Sequence, residues 1–239
     1  MNRLLLLVKL ISLLSLFGLN SCASRFIGLP YQTPAQARKE LATRVSRSPQ
    51  LAVLFVGNSY SFGIPKEFTR IAEERGKSVR TGHSTYGSWT LSKHAQNPPT
   101  LKKIREGNWD IIVFQEQSLI PSYSRPRRNF LMLPPLAKLV LEARKAGAIP
   151  VLYQTWGRKD GNVLIHDDDF FAMTRRLRVG YAAASAALGN IVVVPAGDSW
   201  EKEALAGRKD ALYLMDGSHP SPTGNEVTAE TFFRTFYGS

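Results

Sequence analysis

The sequence predicts an α/β domain built on a parallel sheet, and three features carry that reading. Continuous apolar runs recur along the chain, amphipathic stretches separate them, and glycines or prolines mark many of the junctions. Strands that are apolar throughout belong to sheets covered on both faces, and their alternation with helices implies parallel crossover units. The chain has 239 residues, of which 44% are hydrophobic and 21% charged. That composition supports a packed core and argues against disorder.

The opening stretch, "MNRLLLLVKLISLLSLFGLNSCAS", stands apart from this rhythm. Arg3 provides a positive start, a leucine-rich run broken by Lys9 follows, and small polar residues close it at Ser21. This is the form of a secretory signal over residues 1–21, shorter and less clean than a spanning helix. Cys22, the only cysteine, ends it in "LNSC", which resembles a bacterial lipobox whose cysteine is lipidated. Leu19 and Ser21 fit that pattern, while Asn20 is a less usual occupant. An ordinary signal peptide cut nearby is the alternative. Ala23 in place of an aspartate favours the outer membrane for a lipidated chain. A lone cysteine excludes an intramolecular disulfide.

Removing Arg3 and Lys9 with the leader leaves 29 basic residues against 19 acidic, a net +10. Such a charge favours anionic surfaces. The basic residues are scattered, with short clusters only at "RPRR" (125–128) and "RRLR" (175–178), so a solvated basic surface is expected and not a nucleic-acid site.

Residues 22–49 read as a lipidated N-terminus and tether, and 50–239 as the folded domain. Within the tether, "TPAQARKELATRV" can form a short helix with Thr33 as N-cap and Pro34 in its first turn. "LAVLFVG" (51–57) is a buried strand. "PKEFTRIAEERG" (65–76) is an amphipathic helix opened by proline and closed by glycine. "SVRTGHS" (78–84) is a second strand and "WDIIVFQ" (109–115) a third. "NFLMLPPLAKLVLEARKAG" (129–147) predicts a helix whose firm part begins after Pro135. "AIPVLYQTW" (148–156) is a fourth strand. A helix over 168–189, a fifth strand over 190–197 and a closing amphipathic helix over 221–238 complete the order.

In open α/β sheets functional groups gather at the carboxyl ends of the strands. The first strand runs into "GNSYS" (57–61), which places Ser59 at a strand-to-helix turn, where backbone N–H groups can face a developing oxyanion. After the second comes "GHSTYGSWTL" (82–91), with Gly87 free to bring its backbone close to a ligand. After the third comes "QEQS" (115–118). The last loop reads "MDGSHPSPTG" (215–224), where Pro220 and Pro222 forbid a regular helix or central strand. Taken alone, Asp216 and His219 fit either a polar turn or the acid and base of a catalytic triad. With Ser59 at a neighbouring strand end, nucleophile, base and orienting acid are all available.

Together these blocks resemble the SGNH (GDSL) hydrolase superfamily, in particular bacterial proteins with a "GNS" serine block, a "QEQS" block and a "DGSHPS" block. The likeness runs over about residues 51–236. It implies a three-layer α/β/α sandwich around a five-stranded parallel sheet, flavodoxin-like in class. It also implies a serine esterase without cofactor or metal. In that pattern Ser59 is the nucleophile, Asp216 and His219 are acid and base, and the N–H groups of Ser59 and Gly87 bind the oxyanion.

Two departures matter. Asn58 stands where the family has aspartate, and Gln115, Glu116, Gln117 and Ser118 replace the usual Gly-x-Asn-Asp block. Gln117 falls at the asparagine position, as an oxyanion donor or a substrate-positioning residue. Gln115 is the second candidate for that amide donor, and Asn58 and Gln115 are further candidates for positioning substrate. Loss of an oxyanion donor typically costs ~10²–10³ in rate. Glu116 reads as a buried or capping carboxylate.

His83, His94 and His166 match no family position. The "HDDD" run (166–169) suggests helix capping before metal binding. Trp89, Trp156 and Trp200 are either sugar-stacking platforms or core residues. The expected substrate is an O-acyl ester, with O-acetyl carbohydrate first, a lysophospholipid or other lipid ester second, and glycan or lipid binding without turnover as the non-enzymatic alternative.

Overall fold

The computed structural model describes Leu29 and residues 31–238. The signal peptide read over 1–21 and the lipidation site Cys22 lie outside these residues. Five strands form one sheet: β1 (Leu51–Gly57), β2 (Val79–Thr85), β3 (Ile111–Phe114), β4 (Ile149–Tyr153) and β5 (Val192–Val194). Their order is β2-β1-β3-β4-β5 and every pairing is parallel. The helices are α1 (Pro34–Arg47), α2 (Ile64–Glu74), α3 (Leu91–His94), α4 (Pro98–Glu106), α5 (Arg125–Lys145), α6 (Phe170–Ala187), α7 (Ala196–Leu205) and α8 (Pro222–Tyr237).

Strand β1 shows why the sheet needs two covers. Val53 and Phe55 point to one face, where Ile64 and Phe68 of α2 and Phe232 and Phe236 of α8 pack on them. Leu54 and Val56 point to the other face, against Met132, Leu136 and Leu139 of α5 and Tyr181 of α6. The period of two splits one apolar run between two cores. The result is a three-layer sandwich, as the sequence predicts.

Several boundaries depart from the sequence reading. The segment 34–47 forms α1, the helix with Thr33 as N-cap and Pro34 in its first turn that the sequence allows, with a capping box between Thr33 and Gln36, but it is not a loose tether. Its Leu41 and Val45 join the core, so this part of the chain packs onto the sheet. Helix α5 starts at Arg125 and runs through Pro134 and Pro135. Proline removes backbone donors from the ladder, yet Met132, Leu136, Leu139 and Val140 are buried on both sides of the break and hold the helix on the sheet. Helices α3, α4 and α7 were not predicted. For α4 the signal was present, with Pro98 in the first turn and Gly107 at the end.

The order β2-β1-β3 means that the chain leaves β1 towards one edge and returns on the other side of it. Such a reversal opens a crevice at the carboxyl ends of the two central strands. Ser59 follows β1 there, and Gln115 to Ser118 follow β3.

Candidate active site

Ser59 opens a single 3₁₀ turn, Ser59–Ser61, directly after β1. Asn58 caps that turn, its Oδ1 accepting the Tyr60 N–H at 3.1 Å, while its Nδ2 donates to the Trp89 carbonyl at 3.1 Å. From the end of β3, Gln115 Oε1 accepts the Asn58 N–H at 2.8 Å and the Ser61 hydroxyl at 3.1 Å, and its Nε2 donates to the Glu116 carbonyl at 2.5 Å. Asn58 and Gln115 are both buried. Their amides are occupied on both ends, and through these bonds they fix the serine turn.

His219 reaches the same point from the last loop. That loop is pinned by a bridge between Tyr213 and Pro220 and by the Leu214 N–H donating to the His219 carbonyl at 2.9 Å. It also docks on the segment after β4: Trp156 Nε1 donates to the Ser218 carbonyl at 3.1 Å, and the Lys159 N–H to the Gly217 carbonyl at 2.8 Å. Gly217 has φ +63°, a left-handed conformation that glycine adopts without strain.

The structure brings Ser59, His219 and Asp216 together across 160 residues of chain. Ser59 Oγ lies 2.8 Å from His219 Nε2. His219 Nδ1 lies 2.5 Å from Asp216 Oδ2, while Asp216 Oδ1 accepts the N–H groups of Ser218 and His219 at 3.0 and 2.9 Å. A carboxylate at Nδ1 makes that nitrogen the N–H donor of a neutral ring, which leaves Nε2 as the acceptor facing the Ser59 hydroxyl. Burial opposes ionisation of Asp216, but the His219 ring and the two backbone donors outweigh it and hold the carboxyl at about 2. The Tyr60 ring meets His219 edge-on at 5.5 Å and braces the imidazole.

Gly87 sits on the exposed turn after β2, where Ser88 carries φ 60°. The Asn58 bond to Trp89 and the Tyr86 N–H bond to the Gly57 carbonyl at 3.2 Å tie this turn to the serine turn. The N–H groups of Ser59 and Gly87 find no acceptor among the described residues. Gln117 is half-buried, and its Oε1 accepts the Leu119 N–H at 2.8 Å. That bond orients the amide and leaves Nε2 with no acceptor among the described residues.

Two supporting residues were not assigned to the site from sequence. His94 is fully buried; its Nε2 donates to the Gly57 carbonyl at 2.8 Å and its Nδ1 faces Thr100 Oγ1 at 3.1 Å. Burial lowers its pKa, so the ring is a neutral strut beneath the serine turn. Glu116 is also fully buried. Its Oε1 accepts the N–H of Gln117 at 2.7 Å and of Leu91 at 3.0 Å, which joins the β3-end loop to the first turn of α3. Oε2 has no partner, and burial pushes the carboxyl up to about 7 against the pull of the two N–H donors. This matches the capping role read from the sequence.

The remaining candidates resolve as follows. Asp169 caps α6, accepting the Ala172 N–H at 2.6 Å, and Asp168 pairs with Arg176 at 2.5 Å. No group of three metal-ligating side chains occurs among the described residues. Trp156 and Trp200 are fully buried and stack on each other at 3.8 Å, so they are core residues. Trp89 is half-buried and stacks on the exposed Tyr86 at 4.1 Å. No described helix is long and apolar enough to cross a membrane.

No protein-family model matches the chain, and no curated protein matches it. Solved structures do. A DUF4886 family protein from Bacteroides uniformis superimposes with a TM-score of 0.69 at 19% identity, covering 80% of this chain and 84% of its own. The lipase/acylhydrolase from Enterococcus faecalis gives 0.57 at 14% identity over 77% and 94%. Axe2, an acetylxylan esterase from Geobacillus stearothermophilus, gives 0.56 at 16% identity over 78% and 94%. With the β2-β1-β3-β4-β5 parallel sheet and its two helical layers, the chain has the fold of the SGNH (GDSL) hydrolases.

Proposed function

We propose that the protein is a serine hydrolase that cleaves an O-acyl ester. The observation that carries this reading is the continuous relay from Ser59 Oγ through His219 to Asp216, at 2.8 and 2.5 Å. In the first step His219 Nε2 takes the Ser59 proton as Oγ attacks the ester carbonyl, and Asp216 stabilises the imidazolium that forms. The oxyanion is received by the N–H groups of Ser59 and Gly87 and by the Gln117 amide, each a donor without an acceptor among the described residues. Collapse expels the alcohol, which takes the proton from His219. Water then attacks the acyl-serine with His219 as base and releases the acid.

An O-acetyl group on a carbohydrate is the substrate class this site fits best. The triad is open to solvent, with side-chain exposures of 38% for His219 and 49% for Asp216, which admits a bulky alcohol. The Tyr86–Trp89 pair flanks Gly87 and offers an aromatic surface on which a sugar ring can stack. A lipid ester is the second reading, favoured by the exposed Phe62, Leu214 and Met215 beside the triad residues. In our reading the leader is removed and Cys22 carries a lipid anchor at the cell envelope, so the site works on envelope or exported esters.

The test is hydrolysis of p-nitrophenyl acetate, butyrate and octanoate by the domain. Preference for acetate supports the carbohydrate reading, preference for octanoate the lipid reading, and absence of turnover on every ester contradicts the hydrolase.

A further inference from the structure

Arg158 follows β4 and enters the crevice between the β3-end loop and the His219 loop. Its guanidinium donates from Nη2 to Ser118 Oγ at 3.3 Å, next to Gln117. The Tyr60 hydroxyl stands near both Ser118 and Arg158 and is itself 2.5 Å from Ser218 Oγ, next to His219. The backbone on either side of Arg158 is docked on the His219 loop, through the Tyr213 hydroxyl to the Gly157 carbonyl at 2.6 Å and the Lys159 N–H to the Gly217 carbonyl at 2.8 Å. The charge is therefore held against both the base and the oxyanion side of the site.

No carboxylate pairs with Arg158 among the described residues. Arg144 holds Glu40, Arg178 holds Asp198 and Glu201, and Arg176 holds Asp168 although its Nε also lacks a hydrogen-bond partner, while the buried Arg128 of α5 shares with Arg158 the lack of a carboxylate among the described residues. Lys159, the adjacent cation, is paired with Asp210 at 3.0 Å. Arg158 Nε is buried without any hydrogen-bond partner. A guanidinium whose Nε–H is out of water without an acceptor, and which has no counter-charge, is less favourable than one for which something supplies both. A planar oxyanion supplies them in the geometry that the guanidinium fork matches.

We propose that Arg158 is a specificity residue that binds an anionic group, a carboxylate or a phosphate, carried by the ester substrate itself. The proposal rests on the hydrolase reading and narrows its substrate class to acidic esters. Tyr60 and Ser118 hold the guanidinium in place, and Ser59 attacks the ester elsewhere on the same molecule.

Three matched substrate pairs test it by kcat/KM at low ionic strength. 4-Carboxyphenyl acetate against methyl 4-acetoxybenzoate places a carboxylate on the alcohol half. 4-Acetoxyphenyl phosphate against its dimethyl ester places a phosphate there. Mono-p-nitrophenyl glutarate against p-nitrophenyl pentanoate places a carboxylate on the acyl half. A charge-assisted bond to Arg158 predicts an anionic preference of about ten- to a hundredfold in at least one pair. In Arg158→Met that ratio falls towards one, Arg158→Lys keeps part of it, and Arg47→Met, an exposed cation just before β1, leaves it as in the parent. A parent ratio near one in all three pairs overturns the proposal, as does a ratio that survives in Arg158→Met.

A binding arm separates this proposal from the hydrolase reading. Calorimetry on the Ser59→Ala protein compares 4-acetamidobenzoate with its methyl ester, which needs no turnover. Arg158-dependent binding of the carboxylate with no ester hydrolysed by the parent keeps the anion site and contradicts the hydrolase. Hydrolysis without any charge preference does the reverse.

Discussion

Gln115 Oε1 accepts the Asn58 N–H at 2.8 Å, so the end of β3 holds the turn in which Ser59 sits at the end of β1. The two residues are separated by 57 positions in the chain, yet β1 and β3 are direct neighbours in the sheet, with Val56 opposite Phe114. Ser59 is thus positioned by a buried amide and not by the turn alone.

Gly57 is the weak point of that arrangement. A Cβ added there would lie 2.5 Å from Gln115 Oε1 and 3.1 Å from Ser61 Oγ. Gly57→Ala therefore displaces the amide, and overpacking of this kind destabilises by about 1–3 kcal/mol. We expect a lower melting temperature and a fall in kcat larger than any change in KM for p-nitrophenyl acetate. Gly87→Ala is the comparison, because its added Cβ meets open space and the melting temperature should stay near the parent.

Glu116 makes stability depend on pH with a defined sign. Its carboxyl is raised from 4.5 to about 7 in the fold, chiefly by burial. The unfolded chain ionises first, so this group's contribution is full below about pH 4.5 and is lost as pH rises to about 7. At 1.36 kcal/mol per unit the loss is about 3 kcal/mol. Glu116→Gln cannot ionise. Denaturant unfolding at pH 5 and pH 7.5 should show a smaller fall for the variant than for the parent, and equal falls would count against a buried protonated Glu116.

Gln117 tests the oxyanion site. Its Oε1 is spent on the Leu119 N–H and its Nε2 is the free donor. Gln117→Ala should lower kcat by about 10²–10³ with a smaller effect on KM, the pattern of a bond made in the transition state. A change confined to KM would make it a substrate-positioning residue.

Asp216 is held at about 2, so it stays ionised through the acid range in which an esterase is assayed. This group stabilises the fold fully above about pH 3.8, and that contribution declines as pH falls from there and is gone below about 2. Asp216→Asn keeps the shape and loses the charge that orients and stabilises the His219 ring. A drop in kcat of about 10³–10⁴ is expected.

The strands and the residues of the proposed triad were legible because their signals are local. β1 reads as an apolar run ending in glycine, and the last loop reads as a helix-breaking stretch that carries an acid and a histidine. Their assembly at one crevice follows from parallel crossover topology. Asn58 and Gln115 read as candidates for positioning substrate because their amides look available in a sequence, and the bonds that tie them to the serine turn become visible only when β1 meets β3 and the Trp89 turn. His94 and Arg158 stayed silent for the same reason. One is buried under a carbonyl 37 residues away, and the other is notable for a partner it lacks. Helix α5 hid its first turns behind Pro134 and Pro135, where packing on both sides overrides the loss of backbone donors.

The central claim is that Ser59 is a nucleophile activated by His219. Labelling of the protein with a fluorophosphonate probe, read by intact mass, tests it most directly alongside Ser59→Ala and His219→Ala. We predict one adduct on Ser59 in the parent, none in Ser59→Ala, and strongly slowed labelling in His219→Ala. An unlabelled parent, or a parent and Ser59→Ala labelled equally, would contradict the assignment.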